Sequence, residues 1–262
     1  MKVVIFCGGQ GTRLRDYANN LPKPLVPIGY RPVLWHVMKY YAHFGHKDFI
    51  LCLGYMADKI KDYFLHYDEC ISNDFVLSSG GKNLSLITSD IHDWTITFVD
   101  SGINTCIGQR LKKVQHLLQD EEYFLANYSD GLTDMPLPKM LQQFKRSGKT
   151  AAFICSPPSQ TFHTVTLKNG SSRVARIEPV RDAGLLINAG FFAFKNEIFD
   201  YIRKGEDLVG PPFNRLIEKD LIMGYRYDRF WAMDTFKEQQ ELTDLCSSGR
   251  APWEVWKPKL KA

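Results

Sequence analysis

The chain has 262 residues, a hydrophobic content of 44% and a formal net charge of +4. This length and hydrophobic content allow a large buried core, in one or two domains. The net charge is small and the sequence contains no run of five or six like charges, so nucleic acid is not an expected partner.

The six cysteines are widely scattered, without any Cys-x-x-Cys spacing, and several lie in apolar runs. Buried free cysteines behave as small hydrophobic residues, so we expect a reducing compartment and no disulfide framework. The sequence has no apolar stretch of 18 residues, and its start lacks the features of a signal peptide. We therefore expect a cytoplasmic protein without a membrane partner.

Short apolar runs predict strands that alternate with amphipathic helices along the chain. This alternation indicates βαβ units and an α/β fold with a mostly parallel sheet. The strands are expected at 2–7, 48–54, 95–100, 122–127, 150–155 and 187–194, and the helices at 32–44, 108–118 and 136–147.

We expect a single domain over residues 1–262, with a less regular insertion around 65–94. Within this insertion, the segment 78–83 predicts a hairpin turn because it contains Ser78, Ser79, Gly80 and Gly81. The insertion is open to three interpretations: a lid, an oligomer contact or a surface hairpin without a role.

The first predicted strand leads directly into a glycine-rich turn with Gly8, Gly9 and Gly11. Glycine can adopt positive φ angles and lets backbone N–H groups approach a ligand closely, and successive N–H groups of this kind bind anions. Arg13 and Lys23 add two cations that could close on the same anion. The pattern indicates a polyphosphate site, although a tight turn without a ligand is the alternative.

Two aspartates are candidates for binding a divalent metal ion, which prefers oxygen ligands. Asp130 follows an apolar strand and precedes Gly131, and Asp234 lies beside Met233 in the segment Phe-Trp-Ala-Met-Asp-Thr. An Asp-Gly pair is also typical of a turn, and Asp234 could instead cap the helix that follows it.

The motifs Gly-Gly-Gln-Gly-Thr-Arg-Leu at 8–14 and Leu-Pro-Lys-Pro-Leu-Val-Pro-Ile-Gly at 21–29 resemble those of the sugar-1-phosphate nucleotidyltransferases. The segments 32–36, 48–55, 230–235 and 251–256 are similar to the glucose-1-phosphate cytidylyltransferase branch, so the resemblance covers nearly the whole chain. It implies a Rossmann-like, mostly parallel mixed sheet flanked by helices. It also implies nucleotidyl transfer from an NTP, CTP first, to a sugar 1-phosphate such as glucose 1-phosphate, with Mg²⁺ as cofactor and a homo-oligomer as the assembly.

The resemblance also assigns roles to individual residues of this sequence. It implies that Arg13 and Lys23 are catalytic, that Asp130 and Asp234 hold the metal, and that Glu178 and Asn188 contact the sugar phosphate. Arg176 and Arg181 are candidates to replace a family lysine where this chain has Pro179. The nucleotide-binding residues would be Gly8, Gly9, Gly11, Thr12, Gly108, Gln109, Arg110 and Ser129.

Four positions depart from the family pattern and leave the substrates open. Ser129 replaces a glycine before the metal-binding aspartate, Pro179 replaces the lysine, and Ile107 and Gln109 replace a threonine and a glycine near the nucleobase. The alternatives are the same chemistry with another NTP or with a non-hexose phosphate acceptor, and a non-catalytic subunit that binds a nucleotide sugar.

Overall fold

The computed structural model describes residues 1–10, 21–159 and 162–257. Its strands are β1 (Val3–Cys7), β2 (Pro27–Ile28), β3 (Arg31–Pro32), β4 (Asp48–Leu53), β5 (Phe75–Ser78), β6 (Asn83–Leu86), β7 (Thr95–Asp100), β8 (Tyr123–Tyr128), β9 (Gly131–Thr133), β10 (Ala151–Ser156), β11 (His163–Leu167), β12 (Val174–Pro179), β13 (Ile187–Lys195), β14 (Ile222–Arg226) and β15 (Phe230–Ala232). Its α-helices are α1 (Val33–His43), α2 (Ala57–Leu65), α3 (Ile107–Lys113), α4 (Leu137–Ser147), α5 (Pro211–Glu218) and α6 (Phe236–Ser247).

Within the described ranges, the central sheet has seven strands in the order β14-β10-β13-β8-β1-β4-β7. The pairs β8-β1, β1-β4, β4-β7 and β10-β14 are parallel, whereas β13 runs antiparallel to both of its neighbours. All six strands predicted from the apolar runs belong to this sheet. The prediction of a mostly parallel mixed sheet flanked by helices is confirmed.

The strand directions bring distant parts of the chain to one edge of the sheet. The carboxyl ends of β1 and β8 lie side by side, since Phe6 pairs with Tyr128. Because β13 is antiparallel to β8, its amino end with Asn188 lies at this same edge. Ligands of α/β sheets bind outside the carboxyl ends of the strands, so this edge is where a site is expected.

The two faces of the sheet are covered by different helices. Val3 and Ile5 of β1 belong to a core cluster that includes residues of α1 and α4, whereas Val4 and Phe6 pack in a second cluster with residues of α3 and α5. This alternation follows from the two-residue period of a strand. The predicted helices at 32–44 and 136–147 are confirmed as α1 and α4. The helix expected at 108–118 is shorter, because α3 ends at Lys113 and a 3₁₀ turn follows at Gln115–Leu117.

The insertion around 65–94 contains the antiparallel hairpin β5–β6, in which Ser78 pairs with Asn83. The predicted hairpin turn is therefore confirmed, and the role of the hairpin stays a prediction. Several of its apolar side chains are exposed, including those of Val76, Leu77 and Leu84.

A buried ion-pair network fastens the base of this insertion to the domain. The Asp90 carboxylate accepts hydrogen bonds from Lys39 Nζ at 2.8 Å and Tyr67 OH at 3.0 Å, and from the Ser72 hydroxyl. Arg31, which is 2% exposed, donates from Nε to Ser72 Oγ at 2.9 Å. Burial alone would raise the pKa of Asp90, but the hydrogen bonds from Lys39 and Ser72 hold it below its ordinary value. Asp90 is therefore charged and structural.

None of the described α-helices is both long enough and apolar enough to cross a bilayer. All six cysteines are free thiols, as the scattered spacing predicted.

We predict that Asp90→Ala lowers the free energy of unfolding by roughly 3–5 kcal/mol, since it leaves the buried Arg31 without a nearby carboxylate. Urea denaturation followed by circular dichroism measures the change. Asp93→Ala is the matched control, because Asp93 pairs with Lys47 at the exposed surface and is expected to contribute less than about 1 kcal/mol. Equal losses in the two variants would contradict the structural role of Asp90.

Candidate active site

A cavity of about 430 Å³ opens at the carboxyl edge of the sheet. It combines residues from the turn after β1, from the β8–β9 connection, from the start of β13 and from the segment around β15. Six of the residues predicted from sequence line this cavity, namely Gly9, Lys23, Ser129, Asp130, Asn188 and Asp234.

The pairing of two short strands brings the two aspartates together. β9 and β15 are antiparallel, with Gly131 opposite Ala232, and the Met233 N–H donates to the Asp130 carbonyl oxygen at 3.0 Å. Asp130 precedes β9 and Asp234 follows β15, so the two residues meet although 104 positions separate them in the sequence. Gly131 is required at this crossing, because a Cβ there would lie 2.6 Å from Phe230 Cε2.

Asp234 is not the N-cap of the helix that follows it. Thr235 caps α6 in a capping box: Glu238 N–H donates to Thr235 Oγ1 at 3.3 Å, and Glu238 Oε2 accepts from Thr235 N–H at 2.9 Å. Glu238 Oε2 also accepts from Asp234 N–H at 2.8 Å, which fixes the backbone of Asp234. The Asp234 carboxylate lies in the cavity lining instead.

Lys23 joins the two aspartates. It begins a 3₁₀ turn, Lys23–Leu25, between Pro22 and Pro24, whose rings restrict the backbone at this point. Its Nζ donates to Asp130 Oδ2 and to Asp234 Oδ1, both at 2.6 Å. Burial opposes the charge of this side chain, but the two carboxylates outweigh it and raise the pKa of Lys23. The ammonium therefore stays charged at neutral pH.

The donors around Lys23 fit a divalent cation. Two carboxylate oxygens converge on one cationic atom, at the wall of a cavity with room for further ligands. Over residues 1–10, 21–159 and 162–257, no group of three or more His, Cys, Asp or Glu residues is placed to hold a metal. Mg²⁺ commonly takes one or two carboxylates and completes its shell with water and substrate phosphates, so two aspartates are a sufficient protein contribution.

In the turn after β1, the reason for glycine at positions 8 and 9 differs from the one that the sequence suggested. Gly8 and Gly9 are not among the glycines with positive φ. Gly8 is required instead by packing, because a Cβ there would lie 1.8 Å from Arg110 Nη1, whereas a Cβ on Gly9 would meet nothing within 4 Å. Gly9 lines the cavity and is exposed.

Arg110 lies beneath this turn, 2% exposed, and not in the cavity lining. Its Nη2 donates to the carbonyl oxygens of Gly8 and Ile103, each at 3.1 Å. Its Nη1 donates to the Leu53 carbonyl oxygen at 3.0 Å and to Ser101 Oγ at 2.5 Å. The guanidinium thus joins three parts of the backbone: the turn after β1, the segment after β7 and the last residue of β4. These hydrogen bonds give Arg110 a structural role, and its predicted contact with the nucleotide stays a prediction.

Two further nucleotide-binding candidates pack against the loop at 203–208 rather than against the cavity. Gln109 Nε2 donates to the carbonyl oxygens of Arg203 at 2.8 Å and Glu206 at 3.1 Å. Gly108 permits the close approach of α3 to this loop, since a Cβ would lie 2.5 Å from the Glu206 carbonyl oxygen. Ile107, their neighbour, does line the cavity. Ser129 also lines it, with its hydroxyl donating to the Phe6 carbonyl oxygen at 3.1 Å.

Only one of the four sugar-phosphate candidates lines the cavity. Asn188 does so, and its Oδ1 accepts from Gly190 N–H at 2.9 Å. Glu178 forms an ion pair with Arg176 on the β11–β12 hairpin, with Nη2 and Oε2 2.6 Å apart, and neither residue lines the cavity. Arg181 is exposed on the 3₁₀ turn after β12. The carboxylate and guanidinium groups expected to bind the sugar phosphate therefore lie outside this cavity.

Three predicted site residues, Gly11, Thr12 and Arg13, lie outside the described residues. Their roles stay predictions.

Sequence reasoning missed the aromatic part of the lining. Tyr128 and Phe230 flank the region of Asp130, and Phe6 lies nearby with its ring centroid 6.2 Å from that of Tyr128. The signal was present, because Tyr128 and Phe230 belong to the same short segments as the two aspartates. Strand alternation could not show which of these rings faces the cavity.

The comparisons with known proteins concern the family and the fold of the whole chain. The family model of the nucleotidyl transferases matches residues 2–225. The chain is 34% identical over 259 residues to a probable glucose-1-phosphate cytidylyltransferase of Bacillus subtilis, covering 98% of this chain and all of the relative. The identity to the glucose-1-phosphate cytidylyltransferase of Salmonella typhimurium is also 34%, with the same coverage. A crystal structure of UDP-glucose pyrophosphorylase with UDP-glucose has the same fold, with a TM-score of 0.68, 14% identity and coverage of 95% of this chain and 99% of the other.

The chain belongs to the nucleotidyl transferase family. The resemblance to the glucose-1-phosphate cytidylyltransferase branch, which rested on motifs in the sequence, is confirmed over nearly the full length.

We predict that Arg110→Lys lowers the free energy of unfolding by about 2–4 kcal/mol, because one ammonium cannot satisfy four acceptors spread along a planar fork. Thermal and urea unfolding measure the change. Arg181→Lys is the control, and its exposed position predicts a change within about 0.5 kcal/mol. Unchanged stability together with lost nucleotide binding would contradict the structural role and favour direct contact with the nucleotide.

Proposed function

We propose that this protein transfers a nucleotidyl group from CTP to glucose 1-phosphate, giving CDP-glucose and pyrophosphate. The observation that supports this most directly is the convergence of Lys23, Asp130 and Asp234 at the wall of the cavity beside Gly9. The names of the two relatives at 34% identity support CTP and glucose 1-phosphate as the first substrates to test.

In the proposed reaction, a phosphate oxygen of the sugar 1-phosphate attacks the α-phosphorus of the nucleotide. A new P–O bond forms in line with the bond to the β-phosphate, which breaks and releases pyrophosphate. No protein nucleophile is required, so the site has to align the two substrates and offset their negative charge.

Each residue of the site has a part in that task. Lys23 neutralises charge where the α-phosphate and the sugar phosphate meet, and Arg13 does so at the departing pyrophosphate. The turn at Gly9 admits the nucleotide without a side chain in its way, and Asn188 orients the sugar phosphate. Asp130 and Asp234 would hold Mg²⁺, which supplies charge neutralisation at the phosphates.

The second candidate function is the same nucleotidyl transfer to a different phosphate acceptor. This chain has Pro179 where the resembling family has a lysine, and Glu178 is paired with Arg176 outside the cavity. A site without that cation favours an acceptor that makes fewer charged contacts than a hexose 1-phosphate does in the family. Another NTP belongs to the same test, because Gln109 is held by backbone carbonyls away from the cavity.

The proposal includes a homo-oligomer, in which the exposed apolar side chains of β5–β6 offer contact area. Light scattering coupled to size-exclusion chromatography tests this part separately.

The first experiment incubates the purified protein with Mg²⁺, each of the four NTPs and a panel of sugar 1-phosphates, and measures pyrophosphate release. We expect the largest kcat/KM for CTP with glucose 1-phosphate. Release with another pair alone would favour the second candidate. No release from any pair, with nucleotide-sugar binding retained, would contradict the enzymatic proposal and favour a binding subunit.

We predict that Asp130→Asn and Asp234→Asn each lower kcat by about 100-fold or more, since each removes a charge that holds the metal beside the reacting phosphates. Steady-state kinetics of pyrophosphate release measure the effect. Asp134→Asn is the control: Asp134 pairs with Arg229 at 2.8 Å, does not line the cavity, and is expected to keep kcat within a few-fold. Full activity of either cavity variant would contradict the assigned role.

A further inference from the structure

The Lys23 ammonium lies where the proposed metal would bind, between the carboxylates of Asp130 and Asp234. The ammonium nitrogen lies 2.6 Å from a carboxylate oxygen of Asp130 and 2.6 Å from one of Asp234. A Mg²⁺ ion bound by these two oxygens would sit about 2.0–2.1 Å from each. An ammonium and a divalent ion cannot both occupy the space between Asp130 Oδ2 and Asp234 Oδ1, so a metal that uses these two oxygens has to displace Lys23.

The ammonium also has a structural effect in this position. Asp130 and Asp234 are each only 32% exposed, and their oxygens converge on one point. Two carboxylates held this close repel each other strongly at the reduced dielectric constant of a partly buried site. Lys23 offsets that repulsion and holds the two side chains in the arrangement that a metal would need.

We propose that Lys23 is the resident counter-ion of the metal site, so that a divalent cation binds well only when Lys23 is drawn onto a phosphate group of the nucleotide. This inference rests on the proposed function, since it takes the metal and the nucleotide from it. The lysine competes with the metal in the free protein and is released to the substrate in the complex.

The position of Lys23 allows such an exchange. Its side chain is 14% exposed and lines the cavity, so the ammonium reaches the solvent-filled space where phosphates would enter. The four-carbon stem can rotate while Pro22 and Pro24 keep the backbone in place. A phosphate offers the ammonium a new anionic partner at the moment when it leaves the two carboxylates.

The exchange predicts a thermodynamic coupling. Metal alone binds weakly because it must displace the ammonium, and nucleotide alone binds weakly because the ammonium remains engaged. Each ligand then favours the other by the same factor, as linkage requires.

The test measures Mn²⁺ binding to the full chain in the absence of nucleotide, by calorimetry and by electron paramagnetic resonance. We expect Lys23→Met to bind Mn²⁺ about tenfold more tightly or better than the unmodified protein, because the competing cation is gone. Lys47→Met is the matched control: it removes a lysine that pairs with one aspartate, Asp93, at the opposite edge of the sheet, and it should leave the Mn²⁺ affinity unchanged.

An unchanged or weaker Mn²⁺ affinity in Lys23→Met would overturn the proposal. Removal of the counter-ion leaves the two carboxylates to repel each other, which lowers the melting temperature, so thermal unfolding of Lys23→Met and Lys23→Gln is measured with and without millimolar Mn²⁺. Restoration of the native melting temperature by Mn²⁺ supports the exchange, and failure of Mn²⁺ to restore either variant overturns it. Neither readout requires turnover, so a protein that binds Mn²⁺ as expected but releases no pyrophosphate would contradict the proposed function alone.

Discussion

The site depends on one electrostatic arrangement, in which a single ammonium group lies between two carboxylates at the mouth of a cavity. Lys23, Asp130 and Asp234 come from three distant parts of the chain, and their contacts at 2.6 Å bring those parts together. Two negative charges at this position need a cation in every state of the protein. Among the described residues, Lys23 supplies this cation, and in our proposal a divalent metal takes this position when substrates bind.

The rest of the fold serves to present these three side chains. The parallel strands β1 and β8 end side by side, and the pairing of β9 with β15 brings Asp234 to Asp130. Arg110 secures the turn after β1 from below, through hydrogen bonds to backbone carbonyls at the ends of neighbouring strands. The buried Arg110 guanidinium thus has a structural role outside the cavity, whereas Lys23 lines it.

Much of this could be predicted from the sequence. The apolar runs predicted six of the seven strands of the central sheet, and their alternation with helices predicted the class of fold, because strands buried on both faces leave a strong pattern. Lys23 lies between two prolines and Asp130 precedes a glycine at the end of an apolar strand, whereas Asp234 was found from the resemblance of the segment 230–235 to the family. The contact between Lys23 and the aspartates was not predicted, since sequence spacing carries no information about pairing across 107 or 211 positions.

The surroundings of other predicted site residues could not be predicted from the sequence. Gly8 and Arg110 were both assigned to the nucleotide, and that assignment stays a prediction; the close packing of Gly8 on the Arg110 guanidinium could not be read from a motif. The pairing of Glu178 with Arg176 depends on the register of a hairpin, which the sequence does not reveal.

The most direct test of the central claim is a crystal structure of the protein with CTP and Mn²⁺, in which anomalous scattering locates the metal. We expect a manganese peak between Asp130 and Asp234, with Lys23 Nζ moved onto a phosphate oxygen. A manganese ion bound elsewhere, with the ammonium still bridging the two carboxylates, would contradict it.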